Sequence, residues 1–161
     1  MTHPDVYIRP AEPTDVDQWA DLRVALWPDE PPAALAAEAA RFLAGLPQGA
    51  GAMPEAVLVA AAGGPACRLV GFAEVSRRAY AEGCGTSPVG FLEGWYVVPD
   101  CRRVGIGRAL VRAAEEWARR MGCTEFASDA RVENTGSAAA HLALGFEEVE
   151  VIRCFRKGLT P

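Results

Sequence analysis

Apolar and polar residues follow two different periods along the chain, and these periods predict its strands and helices. Short runs rich in β-branched and aromatic residues, bounded by glycine or proline, indicate strands. They lie at residues 6–10, 56–62, 68–79, 88–99, 124–128 and 147–155, the last with an alternating pattern. Stretches rich in glycine and proline at 46–54 and 63–67 predict a loop and the turn of an antiparallel hairpin.

Apolar residues three or four positions apart predict four helices. The first has Thr14 as its expected N-cap and ends near Trp27. The others lie at residues 32–46, 106–121 and 133–145, and the helix at 106–121 has the cleanest apolar stripe. The resulting order is strand, two helices, three strands, helix, strand, helix and strand. It predicts an α/β domain in which helices cover a mixed sheet.

The composition is that of one globular domain. The 161 residues are 50% hydrophobic, so a single domain over residues 1–161 is expected. The five cysteines form no CxxC pair and are odd in number, which favours reduced thiols over a disulfide framework. The first residues have no signal-like apolar segment, and no run reaches the ~18 apolar residues of a membrane span. We therefore expect a soluble cytoplasmic protein with no membrane partner.

The balance of charge bears on the kind of partner. A net charge of −5 disfavours nucleic acid, because nucleic-acid binding normally uses a basic face. A cationic small molecule is a better electrostatic match, although mild acidity is common among cytosolic proteins.

The stretch PDCRRVGIG at residues 99–107 leads directly from a predicted strand into a predicted helix. Backbone N–H groups at a helix start are unpaired and the helix dipole is positive there, so such a place suits a phosphate. Gly105 and Gly107 allow the main chain to come close, and Arg102 or Arg103 can add a charge-assisted hydrogen bond. By itself, a glycine pair more often marks an ordinary turn with solvent-facing arginines.

Two familiar phosphate-binding motifs do not fit this loop. A P-loop needs a lysine and a hydroxyl residue after its last glycine, but arginine and alanine follow Gly107. A dinucleotide fingerprint needs a third glycine, and Leu110 stands in that place. The spacing Arg102-x-x-Gly105-x-Gly107 instead resembles the pyrophosphate-binding motif of the Gcn5-related N-acetyltransferase (GNAT) superfamily, which binds acetyl-coenzyme A.

The resemblance to GNAT proteins covers the whole order of elements and includes Asn134 and the Leu-Gly-Phe turn at residues 144–146. It implies a mixed, mostly antiparallel sheet whose fourth and fifth strands splay apart, flanked by about four helices. It also implies acetyl-coenzyme A as cosubstrate and no metal. The implied acetyl-coenzyme A site consists of Trp95, Tyr96, Val97, Arg102, Arg103, Val104, Gly105, Ile106, Gly107, Arg108 and Asn134, the first three through their backbone groups.

Longer strings resemble one branch of that superfamily. LRVALWP, SPVGFLEG, CTEFASD and LGFEE are similar to segments of the aminoglycoside 6'-N-acetyltransferases, and they include residues that cofactor binding does not need. The resemblance implies acetyl transfer to the 6'-amine of a cationic aminoglycoside in a ternary complex, with antibiotic resistance as the result. It is also consistent with a homodimer in which the exposed last strand is the interface. The alternatives are an acetyltransferase for a polyamine or a peptide N-terminus, and a non-catalytic acyl-coenzyme A sensor.

Two carboxylates are the first candidates for the chemistry. Glu93 interrupts an apolar strand, and a buried carboxylate needs a partner or a wet cleft. Asp129 follows the next strand, at the carboxyl end where ligands of open α/β sheets gather. Together the two could hold a polycation and accept a proton from an amine. The residues alone leave open an ion pair of Glu93 with an arginine such as Arg77, whereas the family resemblance favours the functional role.

The same resemblance implies further aminoglycoside contacts at Trp27, Tyr80 and Glu150. Core packing is the alternative for Trp27, and a solvent-facing edge charge is the alternative for Glu150. Glu30 stands where some relatives have a histidine, so we expect a difference in substrate preference on the side of the aminoglycoside site that Glu30 forms. The implied aminoglycoside site is thus Trp27, Glu30, Tyr80, Glu93, Asp129 and Glu150.

Acetyl transfer to an amine needs a base, because only the unprotonated amine attacks the thioester. Asp129 is the first candidate and Glu93 the second. The resemblance implies the backbone N–H of Val97 as donor to the developing oxyanion. His141 occupies the place of a tyrosine that serves many superfamily members as general acid. It could donate the proton to the leaving thiolate, or it could simply pack near the cofactor.

Overall fold

The computed structural model of the protein describes residues 6–46, 54–63 and 67–159. Its strands are β1 Val6–Pro10, β2 Ala56–Ala62, β3 Arg68–Arg78, β4 Val89–Val97 and β5 Phe126–Ser128. Its helices are α1 Val16–Leu26, α2 Pro32–Leu43, α3 Ile106–Arg120 and α4 Thr135–Ala143, with one-turn 3-10 helices at Pro13–Asp15 and Pro99–Cys101. Most of the predicted loop at 46–54 and of the turn at 63–67 lies outside the described residues.

The five strands form one sheet in the order β1-β2-β3-β4-β5. The first four are antiparallel to their neighbours, and β5 is parallel to β4, which confirms the predicted mixed sheet. The pairing of β4 with β5 ends at Leu92 and Ser128, while β4 continues to Val97. The two strands therefore separate beyond Leu92, as the family resemblance implies.

Helices cover both faces of the sheet. On one face, Trp19 and Leu22 of α1 pack with Phe72 of β3. On the other face, Leu110 and Val111 of α3 pack against β2, β3 and β4. The stripe that predicted α3 is buried as expected, because apolar residues three or four positions apart share one side of a helix. None of the helices in the described ranges is long and apolar enough to cross a membrane.

The start of α1 differs from the prediction, because Thr14 is not its N-cap. Pro13–Asp15 form a 3-10 turn, and Asp15 precedes the first residue of α1. The carboxylate of Asp15 accepts hydrogen bonds from the backbone N–H of Glu12 at 2.7 Å and from Arg9 at 2.6 and 2.8 Å. Asp15 therefore ties the turn before α1 to β1, and its side chain makes no cap hydrogen bond to α1 itself.

The predicted last strand at 147–155 is wrong. Residues 146–159 form neither helix nor strand, and the side chains of Val151 and Phe155 are 65% and 92% exposed. An alternating sequence becomes a strand only beside another strand and over a surface that buries its apolar side. Within the described part of a single chain, this segment pairs with no strand.

Candidate active site

A pocket of about 400 Å³ opens where β4 and β5 separate. Its lining comes from the end of α1 and the following loop, from β4, from the end of β5 and from α4. The lining residues are 26–30, 92–95, 128–131, Asn134, Ser137 and His141. Five of the predicted catalytic and aminoglycoside-binding residues, Trp27, Glu30, Glu93, Asp129 and His141, therefore share one cavity. Trp95 and Asn134, predicted for the acetyl-coenzyme A site, line the same cavity.

Glu93 lies in an irregularity of the β3–β4 pairing. Glu74 pairs with Gly94 and Val75 pairs with Leu92, so Glu93 is an extra residue on β4. Such a bulge bends a strand and re-aims a side chain, and bulges are frequent beside active sites. The bulge accounts for a carboxylate at the pocket within an otherwise buried strand.

The carboxylate of Glu93 is already paired. It accepts hydrogen bonds from Arg78 at 2.6 and 3.1 Å and from the hydroxyl of Ser76. Arg78 also lies over the ring of Phe91, with 3.4 Å between its guanidinium carbon and the ring centroid. The sequence suggested Arg77 as an ion-pair partner of Glu93. Arg77, which directly precedes Arg78 on β3, pairs with Glu55 instead.

Asp129 is in the opposite state. It is exposed at the pocket, directly after β5, and makes no hydrogen bond or ion pair with any residue that the structure describes. Glu30 on the facing wall is also exposed, and its carboxylate has no partner within the same ranges. The pocket therefore presents negative charge that a cationic ligand can neutralise.

His141 is held in a defined orientation. Its Nδ1 lies 2.7 Å from the carbonyl oxygen of Ser137, and its Nε2 lies 2.9 Å from the hydroxyl oxygen of Ser128. The rings of Trp95 and Phe146 meet the imidazole edge-on, with centroid distances of 5.7 and 5.1 Å. Sequence reasoning missed Ser128 and Ser137, although Ser128 precedes Asp129 and Ser137 lies one helical turn before His141.

Trp27 both packs and lines the pocket, so its two interpretations are compatible. Its ring contacts Phe72 edge-on at 6.2 Å and also covers Gly94. A Cβ at position 94 would approach the Trp27 ring to 2.7 Å, which explains the glycine there. The ring also lies 5.3 Å from the guanidinium carbon of Arg23.

Behind Trp27 lies a buried ion pair that sequence reasoning missed. Arg23 donates to Glu74 at 2.8 Å and to the carbonyl oxygen of Leu35 at 2.8 Å. Glu74 also accepts a hydrogen bond from the indole of Trp19 at 3.1 Å. Burial raises the pKa of Glu74 to about 7, and the Arg23 cation opposes this rise. The pair ties α1 and α2 to β3 and so supports the pocket wall.

The glycine-containing loop has the geometry of an anion site. Gly105 precedes α3 with φ of 94°, a backbone conformation that favours glycine, and no side chain in the part of the chain that the structure describes caps the helix start. Arg103, also at positive φ, is exposed on the loop. Arg102 instead folds back and donates to the carbonyl oxygen of Val97 at 2.7 Å. Gly107 lies under Trp95, whose ring would be 2.8 Å from a Cβ there.

Trp95 supplies an unsatisfied donor beside this loop. Its indole N–H is buried and has no hydrogen-bond partner in the described ranges. Buried donors are normally paired, so this one suits a ligand rich in acceptors. Together with the uncapped start of α3, it makes the loop and β4 a good fit for acetyl-coenzyme A. Within the described ranges, no three His, Cys, Asp or Glu side chains gather where they could hold a metal ion.

Of the remaining predicted site residues, Asn134 and Arg108 make hydrogen bonds within the chain, and the others differ in exposure. Asn134 caps α4, because its side chain accepts a hydrogen bond from the backbone N–H of Ser137 at 3.0 Å. Arg108 donates to the carbonyl oxygen of Ala143 at 3.2 Å. Tyr96 is half-buried, Val97 and Ile106 are buried, and Val104 is exposed. Tyr80 and Glu150 are exposed and are not part of the pocket lining.

Comparison with known proteins agrees with this geometry. The model of the acetyltransferase (GNAT) family matches residues 16–146. The chain is 53% identical to an aminoglycoside N(6')-acetyltransferase type 1 of Klebsiella aerogenes, over 94% of this chain and 96% of the relative. It is 46% identical to a protein of the same name from Stenotrophomonas maltophilia, over 96% and 94% of the two chains.

Two solved structures of aminoglycoside N-acetyltransferase AAC(6')-Iy have the same fold. One, in complex with coenzyme A, has a TM-score of 0.83 and 39% identity, covering 96% of this chain and 95% of the other. The second holds the bisubstrate analogue CoA-S-monomethyl-acetylneamine, with a TM-score of 0.83, 37% identity and coverage of 96% and 99%. The splayed sheet, the uncapped loop before α3 and these matches together show that the chain belongs to the GNAT family of acetyltransferases.

Proposed function

We propose that the protein is an aminoglycoside 6'-N-acetyltransferase, which transfers acetyl from acetyl-coenzyme A to the 6'-amine of an aminoglycoside by direct attack. One observation carries the proposal: Asp129, a carboxylate with no partner among the described residues, lies in an acidic pocket at the fork between β4 and β5. Relatives that match nearly the whole chain have this activity in their names. A structural neighbour binds an analogue that joins coenzyme A to an acetylated neamine.

Acetyl-coenzyme A fits the part of the site between β4 and α3. In this proposal Arg103 and the backbone at Gly105 bind the pyrophosphate, because no side chain in the described ranges caps the N–H groups at the start of α3. The backbone of Trp95, Tyr96 and Val97 lies beyond the last β4–β5 pair and is open to the pantetheine arm on that side. When bound, acetyl-coenzyme A supplies the activated acetyl group.

The residues of the pocket have separate roles in substrate binding and acetyl transfer. Asp129 takes the proton from the substrate amine, because its carboxylate has no partner in the described part of the chain. Glu93 serves the cationic substrate mainly through charge, since Arg78 and Ser76 already occupy its oxygens. Trp27 and Glu30 form the facing wall. The backbone N–H of Val97 donates to the oxyanion.

Tyr80 and Glu150 are proposed as aminoglycoside contacts outside the pocket. Neither lines the pocket of the single chain. Glu150 belongs to the exposed C-terminal segment, residues 146–159, so its contact with an aminoglycoside depends on where that segment lies in an assembly. Tyr80, 65% exposed, would contact a substrate that extends out of the pocket.

We further propose that the protein is a cytoplasmic homodimer that confers aminoglycoside resistance. The C-terminal segment supports the dimer, because Val151, Ile152 and Phe155 expose apolar side chains that a second copy could cover. Replacing Val151 and Phe155 by aspartate should shift the protein to the monomer in sedimentation analysis. An unchanged dimer would place the interface elsewhere, and a monomeric wild type would refute the dimer.

Thiol release from acetyl-coenzyme A tests the proposed activity. The acceptors are kanamycin and tobramycin, paromomycin as a 6'-hydroxyl analogue, and spermidine and a short peptide as other amines. Release with the first two but not with paromomycin is the expected result. Release only with spermidine or peptide would retain acetyl transfer and reject the aminoglycoside. Binding of coenzyme A without any release would favour an acyl-coenzyme A sensor.

The cofactor loop has its own test. Arg103→Ala should raise the KM for acetyl-coenzyme A about 10-fold, the effect of one lost charge-assisted hydrogen bond. Arg112→Ala is the matched control, because it removes an exposed arginine from α3 outside the pocket lining. Equal KM values in both variants would contradict the assignment of the loop.

A further inference from the structure

Ser128 occupies the fork of the sheet. It is the last residue of β5, and its pairing with Leu92 is the last before β4 and β5 separate. Its hydroxyl oxygen lies 3.2 Å from the carbonyl oxygen of Leu92 and 2.9 Å from Nε2 of His141. Ser128 and His141 both line the pocket. A single hydroxyl thus connects the base of the fork to the imidazole on α4.

The surroundings of His141 fix the position of its protons. Nδ1 lies 2.7 Å from the carbonyl oxygen of Ser137 and 3.3 Å from the Ser137 hydroxyl oxygen. The shorter contact is to the carbonyl, which only accepts hydrogen bonds, so Nδ1 carries hydrogen. In the neutral ring, Nε2 is then an acceptor and takes the hydroxyl proton of Ser128. In the charged ring, Nε2 donates to Ser128, whose own proton turns to Leu92. The hydroxyl therefore has two acceptors for one proton, and the charge of His141 decides between them.

Contacts around the imidazole hold the ring so that Nε2 faces the hydroxyl of Ser128. Trp95 of β4 and Phe146, which follows α4, contact it edge-on, and the carbonyl of Ser137 lies at Nδ1. These contacts leave Nε2 directed at Ser128. A fixed tautomer and a fixed ring are the features that a proton donor needs, because the donor must be oriented before the leaving group departs.

We infer that Ser128 relays the proton from His141 to the leaving thiolate, an inference that rests on the proposed acetyl transfer. As the carbon–sulfur bond breaks, the bond electrons stay on sulfur. Ser128 gives its hydroxyl proton to this thiolate and takes the Nε2 proton of the charged imidazole. Asp129 accepts the proton that the attacking amine loses. His141 ends neutral, with hydrogen on Nδ1, and regains its Nε2 proton from solvent.

The first test needs no substrate. The chain has two histidines, so the ring ¹⁵N signals of His141 can be assigned by their loss in His141→Gln. We expect the neutral ring of the wild type to be the Nδ1–H tautomer. Ser128→Ala should shift the Nε2 signal because it removes the hydroxyl partner, and Ser128→Thr should restore it. An Nε2–H tautomer, or a signal that Ser128→Ala leaves in place, would overturn the inference.

The second test is turnover with kanamycin and acetyl-coenzyme A. Ser128→Ala should lower kcat about 10²-fold, as expected for loss of a general acid, with both KM values unchanged. Ser128→Thr should recover most of kcat. His141→Gln should lose as much as Ser128→Ala, and the double variant no more than either, because the two residues act as one unit. Thr124→Ala is the control, since it removes an exposed hydroxyl from the segment before β5.

The outcomes separate the relay from the activity on which it rests. A wild type that releases no thiol refutes the proposed function, and the relay falls with it. A wild type that turns over while Ser128→Ala turns over equally well overturns the relay alone. So do multiplying losses in the double variant, because they indicate independent roles. If Ser128→Ala lowers thermal stability enough to account for its lower kcat, Ser128 has only a structural role at the fork, and the relay is overturned.

Discussion

The carboxylates on and directly after the strands of the pocket are in opposite states. On the β4 side, formed by β4 with β3 and α1 behind it, Glu93 is paired with Arg78 and Glu74 is paired with Arg23. On the β5 side, formed by β5 and α4, Asp129 has no partner within the described residues. A carboxylate that already holds a guanidinium is a poor proton acceptor, whereas an unpaired one is available to an amine. The pairing therefore separates a supporting acid from a reacting one.

The two sides also differ in how they are built. Helix α1 buries Trp19, Ala20, Leu22 and Arg23, whereas α4 buries no residue. Strand β4 has nine residues and β5 has three. Local stability follows buried apolar contact, so the β4 side is the rigid one. We expect substitutions there to cost stability and substitutions on the β5 side to cost turnover.

The largest expected effect on turnover is that of Asp129→Asn. Removing the base should lower kcat about 10²- to 10⁴-fold with kanamycin as substrate. The thermal midpoint should stay near that of the wild type, because Asp129 is exposed and unpaired in the described structure. Asp100→Asn, which alters an exposed carboxylate outside the pocket lining, is the control for steady-state kinetics.

Arg23→Met should have the largest effect on stability. It leaves Glu74 buried without its cation, a change that costs about 3–5 kcal/mol in comparable pairs. Urea unfolding measures this loss. Replacing Glu74 by leucine in the same chain should recover most of it, because the uncompensated charge is then gone. A single variant as stable as the wild type would show that the pair does not support the β4 side.

Glu93→Gln should have an intermediate effect. It weakens the charge that Arg78 balances and reduces attraction for a cationic substrate, so the KM for kanamycin should rise about 10-fold. The value of kcat should change less than in Asp129→Asn. Steady-state kinetics at varied kanamycin concentration separate the two constants. A loss confined to kcat would make Glu93 a reacting group after all.

The smallest effect concerns the start of α1 and depends on pH. Hydrogen bonds from Arg9 hold the pKa of Asp15 below its usual value. Because the folded pKa lies below the unfolded one, this stabilisation is present above the unfolded pKa and is lost as pH falls through the folded one. Asp15→Asn weakens the hydrogen bonds with Arg9 and should lower stability by about 1 kcal/mol at neutral pH. Its urea midpoint should then approach that of the wild type in acid.

Much of this architecture could be predicted from local sequence. The stripe of α3 and the Arg-x-x-Gly-x-Gly spacing depend on neighbouring residues alone, and both predicted the correct element. Asp129 could be placed because it directly follows a strand. The partner of Glu93 could not, because Arg77 and Arg78 face opposite sides of β3 and only the register with β4 decides between them.

The last segment shows the second limit of sequence reasoning. Residues 147–155 have the alternation of a strand, but whether they form one depends on a neighbouring strand that the described residues of the single chain do not supply. Arg23 and Glu74 lie far apart in sequence and meet only after α1 docks on β3. Long-range pairing of this kind leaves no local signal apart from a charge within an apolar run.

The most direct test of the central claim compares kcat for Asp129→Asn and Glu93→Gln under the same conditions, with kanamycin and acetyl-coenzyme A both saturating. The paired state of Glu93 and the unpaired state of Asp129 predict a much larger loss for Asp129→Asn, with an unchanged KM for acetyl-coenzyme A. Equal losses, or a larger loss for Glu93→Gln, would contradict the assignment of Asp129 as the base.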